Sequence, residues 1–276
     1  MQITVAEETR IVTLDPHTPI DLSLPSQGSH ENSVKALRPE DDTPRGTVPY
    51  LETLSTIHRV LDPRTYLEIG VWLGNSLSLA RCPSIGIDPA PDIKTIIHPA
   101  TRIFTMTSDQ FFTEQAATAI STPIDLAFID GMHLLEFVLR DFMYVERHAT
   151  PQSLIVIDDI FPSHPAQADR SRRTGTWMGD VWKLLPILSQ LRPDLVLIPI
   201  DTWPSGLLLV TALDPSNRTL WYTYNQIVTH FSHDIAPPLS ILGREGVYPP
   251  AIVDPFLRTL KSLRPLTTHR RLKTSP

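Results

Sequence analysis

The sequence predicts an α/β protein built on a seven-stranded sheet, mainly parallel with an antiparallel last strand, and with helices on both faces. Compact apolar runs recur between Tyr66 and Val210, each of the length of a buried strand. Segments of helical period separate several of them, most clearly Leu134, Leu135, Phe137, Val138, Phe142 and Val145. Strands apolar on both sides and alternating with helices belong to a parallel sheet covered on both faces. The last two runs are joined only by Asp201-Thr202-Trp203-Pro204-Ser205-Gly206, too short for a crossover helix, so they read as an antiparallel pair.

In chain order, residues 1 to about 45 form a polar arm. Short alternations (Ile3, Val5, then Ile11, Val12) sit there in a Ser/Glu/Asp/Pro background that buries little surface. From Tyr50 the pattern turns helical through Leu51, Leu54, Ile57, His58 and Leu61, and Asp62-Pro63 stops it. The expected strands follow at Tyr66–Ile69, Ser84–Ile87, Arg102–Met106, Asp125–Ile129, Leu154–Ile157, Leu195–Ile200 and Leu207–Val210. After about Asn225 order is expected to fade into a Pro-rich region, Ala236-Pro237-Pro238 and Tyr248-Pro249-Pro250, with a short helix near Pro255–Leu263. The basic tail His269-Arg270-Arg271-Leu272-Lys273 reads as a solvated end. The chain thus divides into an arm (1–45), one folded domain (46–225) and an extension (226–276), with no internal repeat.

Bulk properties bound the function. The 276 residues are 41% hydrophobic and 20% charged, as in an ordinary globular protein, with 27 prolines concentrated in loops and ends. A net charge of −6 and a pI of about 5.9 exclude a general nucleic-acid binder, though not a small anion held by a local arginine cluster. Cys82 is the only cysteine, so no intrachain disulfide forms, and it reads as a small core filler. No apolar run has membrane-spanning length, and Met1-Gln2-Ile3-Thr4 lacks the start of a signal peptide. A soluble cytoplasmic protein with no membrane partner is expected, and homo-oligomerisation is left open.

The first strand ends in Glu68-Ile69-Gly70, followed by Val71-Trp72-Leu73-Gly74, with Gly74 expected to open a helix. Such a turn brings backbone close to a ligand and aims free N–H groups at it. The second strand ends Gly86-Ile87-Asp88, putting an acid at the neighbouring tip, where it can accept both hydroxyls of a ribose. Dinucleotide sites want G-x-G-x-x-G; E-x-G-x-x-x-G instead resembles the first motif of class I S-adenosylmethionine-dependent methyltransferases, whose sheet also has seven strands with an antiparallel last one. That resemblance implies that Glu68 and Gly70 border the methionine portion, with Trp72 and Gly74 in the same turn, and that Asp88 holds the ribose. It also puts Ser108 and Asp109 beside the adenine, although an N-cap role before Gln110-Phe111-Phe112 suits Asp109 equally.

Two further tips are rich in carboxylates. Strand four leads into Asp130-Gly131-Met132-His133 and strand five into Asp158-Asp159. Parallel strands deliver both tips to one edge, and three like charges crowded there repel unless a cation neutralises them. A divalent ion such as Mg²⁺ or Mn²⁺ on Asp130, Asp158 and Asp159 is the simplest solution; one acid capping a helix and another pairing with arginine is the plainer one. His133 lies at the start of the following helix, whose dipole is expected to keep the ring neutral and able to take a proton. A role in orienting Asp130 is the alternative for His133.

These acids resemble those of metal-dependent O-methyltransferases. Phe128-Ile129-Asp130-Gly131-Met132-His133, Ile157-Asp158-Asp159 and the stretch Thr174 to Lys183 resemble, more narrowly, the macrocin-type group that methylates sugar hydroxyls of macrolide and aminocoumarin antibiotics. The resemblance covers about Tyr66 to Leu213 and implies His133 as the base beside Asp130. It implies a small-molecule acceptor, a sugar or glycosylated natural product. The long loop from Phe161 to Gly179, with Arg170-Ser171-Arg172-Arg173, has the make-up of a lid or substrate loop. His164, Arg173, Trp177 and Asp180 are its candidate substrate contacts. Competing readings are a metal-independent methyltransferase acting on nitrogen, carbon or carboxylate, and a non-catalytic cofactor-binding subunit; a dehydrogenase is disfavoured by the glycine spacing.

Overall fold

The structure, a computed structural model, describes residues 38–264. The alternating segments near Ile3 and Ile11, most of the N-terminal arm and the basic tail lie outside the described residues. Strands β1 (Tyr66–Ile69), β2 (Ser84–Asp88), β3 (Arg102–Thr105), β4 (Leu126–Ile129), β5 (Leu154–Ile157), β6 (Val196–Ile200) and β7 (Leu207–Thr211) form one sheet. Their order is β3-β2-β1-β4-β5-β7-β6. Strand β7 runs antiparallel between β5 and β6, and the other pairings among β1 to β5 are parallel. Central strands β1, β4 and β5 are buried along their whole length, as continuous apolar runs such as Leu-Ala-Phe-Ile and Leu-Ile-Val-Ile require.

Register decides where the chemistry sits. Ile69 of β1 pairs with Ile87 of β2 and Ile129 of β4, and Ile129 pairs with Ile157 of β5. The next residues on these strands, Asp88, Gly70, Asp130 and Asp158, therefore leave the sheet side by side at one C-terminal edge.

One face of the sheet is covered by α2 (Ser108–Glu114), α3 (Leu135–Arg147), α4 (Leu184–Leu191) and α5 (Thr219–Phe231), the other by α1 (Tyr50–Leu61) and α6 (Val253–Ser262). The helical spacing read from Leu134 to Val145 is that of α3, whose Leu135, Val138, Leu139, Phe142 and Val145 are buried. Helix α5 runs across residue 225, where order was expected to fade. Ile227, Phe231 and Ile241 join the core of the first face, and Val253, Leu257 and Leu260 that of the second. Proline there shapes the connections and does not stop the chain from packing.

A second difference concerns the glycine turn. No α-helix follows Gly74, only a 3₁₀ turn at Leu77–Leu79. Ser76 turns its hydroxyl inward to Glu68, and Pro83 closes the segment before β2. Among the described residues, no helix is long and apolar enough to cross a membrane.

Candidate active site

A cavity of about 770 Å³ opens at the C-terminal edge of the sheet. Gly70, Trp72, Asp88, Ser108 and Asp109 line one part of it, and Asp130, His133, Asp158, Asp159 and Trp177 the other. Its volume falls within the roughly 300–1,000 Å³ of typical small-molecule sites.

The turn after β1 is shaped by two conformations that few side chains adopt. Gly70 has φ +88°, and a Cβ there would lie 1.8 Å from the Asp130 carbonyl, so only glycine lets the two tips approach. Trp72 has φ +43° and exposes its ring at the cavity mouth. Its N–H donates to Asp88 Oδ2 at 2.8 Å, while Ala90 N–H donates to Oδ1 at 2.7 Å. Asp88 is thus fixed by backbone and still lines the cavity.

Other residues of the turn serve it from behind. Glu68 is fully buried and does not reach the cavity: Tyr66 Oη donates to one oxygen at 2.5 Å and Ser76 Oγ to the other at 2.7 Å. Burial pushes its carboxyl up to about 8, against those two hydroxyl donors. The expected border with the methionine portion is therefore corrected to a brace beneath the turn. Gly74 is likewise no cavity residue; its φ of +81° makes room for Ile93 and Thr95.

At the tip of β3, Ser108 and Asp109 both line the cavity. The N-cap of α2 is Thr107, whose Oγ1 accepts from Gln110 N–H at 3.2 Å, so the capping alternative for Asp109 falls away. Asp109 instead receives a two-pronged hydrogen bond from Arg140 at 2.8 and 2.7 Å.

In the acidic half, Asp130, His133 and Asp159 converge, with ligand atoms within 4.8 Å of one another. His133 Nδ1 lies 2.9 Å from Asp159 Oδ2 and 2.9 Å from the Trp177 carbonyl, and Nε2 lies 3.6 Å from Asp130 Oδ1. A carbonyl only accepts, so Nδ1 carries a hydrogen and the neutral ring's lone pair is on Nε2. Asp159 adopts φ +65°, a strained conformation for a non-glycine residue. Trp177 stacks on the imidazole with 5.1 Å between centroids and 14° between planes.

Two expectations change here. Asp158 is not part of the converging set: it is buried, and its Oδ1 accepts from Ser205 Oγ at 2.5 Å and from Asp159 N–H at 2.8 Å. Burial, Asp159 and Asp130 raise its carboxyl well above the usual range. Nor does the helix dipole govern His133, which precedes the Leu134 N-cap of α3. Burial disfavours the imidazolium, but Asp159 and Asp130 outweigh it and push the ring up to about 12. Burial raises Asp130 to about 6, with Asp159 adding to the shift and His133 opposing it. The carboxylates of Asp130 and Asp159 offer oxygen donors that suit a hard divalent cation.

The segment from Asp159 to Asp180, whose Phe161–Gly179 part reads as a lid or substrate loop, is braced at several points. Gln167 Nε2 donates to the carbonyls of Asp41 and Thr43, and Asp42 accepts from Gly175 and Thr176 N–H at 2.9 and 2.6 Å. Gly179, at φ +55°, passes so near His133 that a Cβ would sit 1.7 Å from its carbonyl. Asp180 is buried and lies outside the cavity, accepting from Leu135 N–H, Arg170 and Lys183. It anchors the wall to α3 and is no substrate contact. Arg173 pairs with Asp169, and His164 caps the turn Pro165–Ala168 beside Asp41, so neither faces the cavity. Arg172 and Trp177 do.

Sequence reasoning missed Tyr50, Asp141, Trp203 and Ser205, all of which line the cavity. Tyr50 enters from the first turn of α1, and burial with the surrounding Asp130 and Asp158 holds its phenol above the usual range. Only Asp141 had a visible signal, a carboxylate at an apolar register of α3.

Residues 67–160 match the family model described as a methyltransferase domain. No curated protein matches the chain significantly. Among solved structures, it is similar to an O-methyltransferase from Bacillus cereus in complex with SAH, at 13% identity and TM-score 0.46, over 63% of this chain and 85% of that one. It is also similar to the SAM-bound O-methyltransferase TomG from Streptomyces achromogenes, at 15% identity and TM-score 0.44, over 60% and 80% of the two chains. Cofactor-bound Rv0187 from MTB is similar at 18% identity and TM-score 0.47, over 63% and 84%. By the family match and its own strand order, this chain is an enzyme with a methyltransferase domain over residues 67–160, set in a sheet of the class I methyltransferase type.

Proposed function

We infer that the protein is an S-adenosylmethionine-dependent O-methyltransferase acting on a hydroxyl of a small molecule, with a divalent cation assisting. The observation that carries this reading is His133, hydrogen-bonded through Nδ1 and flanked by Asp130 and Asp159, in the same cavity as Gly70 and Asp88. The cofactor would lie along Gly70 with its ribose on Asp88. A cation on Asp130 and Asp159 would offset the two carboxylates that raise the imidazole, leaving His133 Nε2 free to take the proton of the acceptor oxygen as that oxygen attacks the sulfonium methyl in line. The carbon–sulfur bond breaks with its electron pair left on sulfur, giving the thioether product and an imidazolium that Asp159 stabilises. Asp130 and Asp159 would hold the cation, with Asp158 and Ser205 behind them. When bound, it supplies positive charge that favours loss of the hydroxyl proton.

A sugar or glycosylated natural product is the proposed acceptor. Supporting it are the motif resemblance around Asp130–His133 and Asp158–Asp159, and the exposed faces of Trp72, Met132 and Trp203 at the cavity. The same His133 contacts favour a second reading, in which the imidazolium itself neutralises Asp130 and Asp159 and no metal is used. Methyl transfer from labelled cofactor to a panel of sugars and phenols, before and after metal stripping, tests both. Activity abolished by stripping and restored by Mg²⁺ or Mn²⁺ supports the first reading; full activity without metal supports the second. Failure to bind S-adenosylhomocysteine would sink both.

A further inference from the structure

Positive charge is scarce where the acids gather. Asp88, Asp109, Asp130 and Asp159 line the cavity, and among the described residues Arg172 is the one arginine or lysine on its wall. An anion entering a space walled by carboxylates is repelled unless something positive receives it. A cation fixed at that wall therefore bears on which acceptors the site takes.

The loop Arg170-Ser171-Arg172-Arg173 binds its other two arginines to the protein itself. Arg170 bonds Glu136 and Asp180, and Arg173 pairs with Asp169. Arg172 is exposed and makes no ion pair among the described residues. Its Nε donates to the Thr174 carbonyl at 3.4 Å and its Nη2 to the Gly175 carbonyl at 3.0 Å, which leaves Nη1 unused. Asp42 lies close enough to feel this charge, but its two oxygens accept from Gly175 and Thr176 N–H at 2.9 and 2.6 Å. The carbonyls thus orient the guanidinium without neutralising it. Its place relative to the base follows from the same loop. Gly175 stands two residues before Trp177, at most about 7 Å along the chain, and the Trp177 indole stacks on His133. Arg172 and His133 therefore flank one stretch of the cavity wall, with Trp177 between them.

Resting on the methyltransferase reading, we propose that Arg172 selects acceptors carrying a carboxylate or phosphate on the same small molecule as the methylated hydroxyl, as in a sugar acid or a sugar phosphate. The planar N–H edge of a guanidinium matches either oxyanion. The Trp177 ring beside it offers an apolar face to the body of the acceptor. A neutral acceptor fills the same space and gains nothing from Arg172.

Ligand-observed NMR titrations of the full chain, saturated with S-adenosylhomocysteine, test this with matched acceptors. Glucuronate and glucose 6-phosphate are compared with glucose, and 3,4-dihydroxybenzoate with catechol. The wild type should bind the anionic member about fivefold to tenfold tighter than the neutral one in at least one of the two sets. That preference should shrink as salt rises. Tighter binding of glucuronate than of glucose 6-phosphate assigns the anion as a carboxylate, and the reverse order as a phosphate. Arg172→Gln should erase the preference while leaving neutral-acceptor binding and S-adenosylhomocysteine affinity unchanged, which also shows that the variant is folded. Arg172→Lys keeps the charge without the planar fork and should retain a preference of about threefold or less. A wild type with no anion preference in either set, or a preference that survives Arg172→Gln, overturns the proposal and leaves the cofactor reading standing. Failure of the wild type to bind S-adenosylhomocysteine removes the methyltransferase reading, and the proposal falls with it.

Discussion

His133 is held by Trp177 twice over: the indole stacks on the imidazole at 5.1 Å, and the backbone carbonyl of the same residue accepts from Nδ1 at 2.9 Å. A residue from the loop after β5 thereby sets both the plane and the tautomer of a ring at the tip of β4. Substituting His133→Asn should cut methyl transfer by about 10²–10⁴-fold, the usual contribution of a general base. Cofactor affinity should stay within a few-fold, because Asp88 and Gly70 are untouched. Single-turnover rates beside calorimetry make the check; an active H133N enzyme would remove the base.

Asp130 and Asp159 bear on metal dependence. Asp159→Asn should raise the concentration of Mg²⁺ or Mn²⁺ needed for half-maximal activity by about tenfold or more, as loss of one charged ligand does. Titrating the stripped enzyme with each ion reads this directly. An unchanged requirement would move the ion elsewhere.

Asp88 accepts from Trp72 and Ala90 N–H and faces the cavity. Asp88→Ala should weaken S-adenosylhomocysteine by about 10–100-fold, the worth of hydrogen bonds to a charged group. Acceptor KM should move much less. Isothermal calorimetry and steady-state kinetics separate the two effects.

Gly179 tests the braced wall. Its φ of +55° and the 1.7 Å approach of a would-be Cβ to the His133 carbonyl make Gly179→Ala costly, by about 1–3 kcal/mol. Urea unfolding should show that loss. Activity should fall further than stability explains, because the clash is with His133 itself.

His58 makes stability depend on pH. It is 5% exposed, packs edge-on against Tyr66, and has no partner for either ring nitrogen. Burial, with Arg81 nearby, holds its pKa down at about 4, below the ordinary 6.5. Between those values the unfolded chain binds the proton and the folded one does not, so stability falls as pH drops from 6.5 to 4. The loss is on the order of 3 kcal/mol and is complete below about pH 4. His58→Leu should flatten that part of the stability profile, measured by urea melts across the window, while leaving the region above pH 7 unchanged.

Much of the fold was legible because buried parallel strands carry a local signature. Tyr66–Ile69 and Leu154–Ile157 are bounded as the apolar runs suggest, and the brief link from Asp201 to Gly206 forces β6 and β7 antiparallel. Strand tips were legible too, so Asp88, Asp130 and Asp159 were expected at one edge and are found there. Helices after residue 225 were less visible, since their apolar faces exist only against β-sheet neighbours and α1.

What tertiary structure alone decided is which polar groups meet. Asp158 and Asp159 are adjacent in sequence, yet one turns to Ser205 and the other to His133, because a positive φ at Asp159 sends the carboxyls apart. Asp180 and Arg173 sit in the polar loop like Trp177, but buried pairing with Lys183 and Arg170 takes Asp180 out of the cavity, and an exposed pair with Asp169 turns Arg173 away from it. The sequence by itself determined a class I methyltransferase sheet and the edge where its acids gather, since both follow from local pattern. Partner, tautomer and charge at His133 depend on atoms brought from 44 residues away, and only the folded chain supplies them.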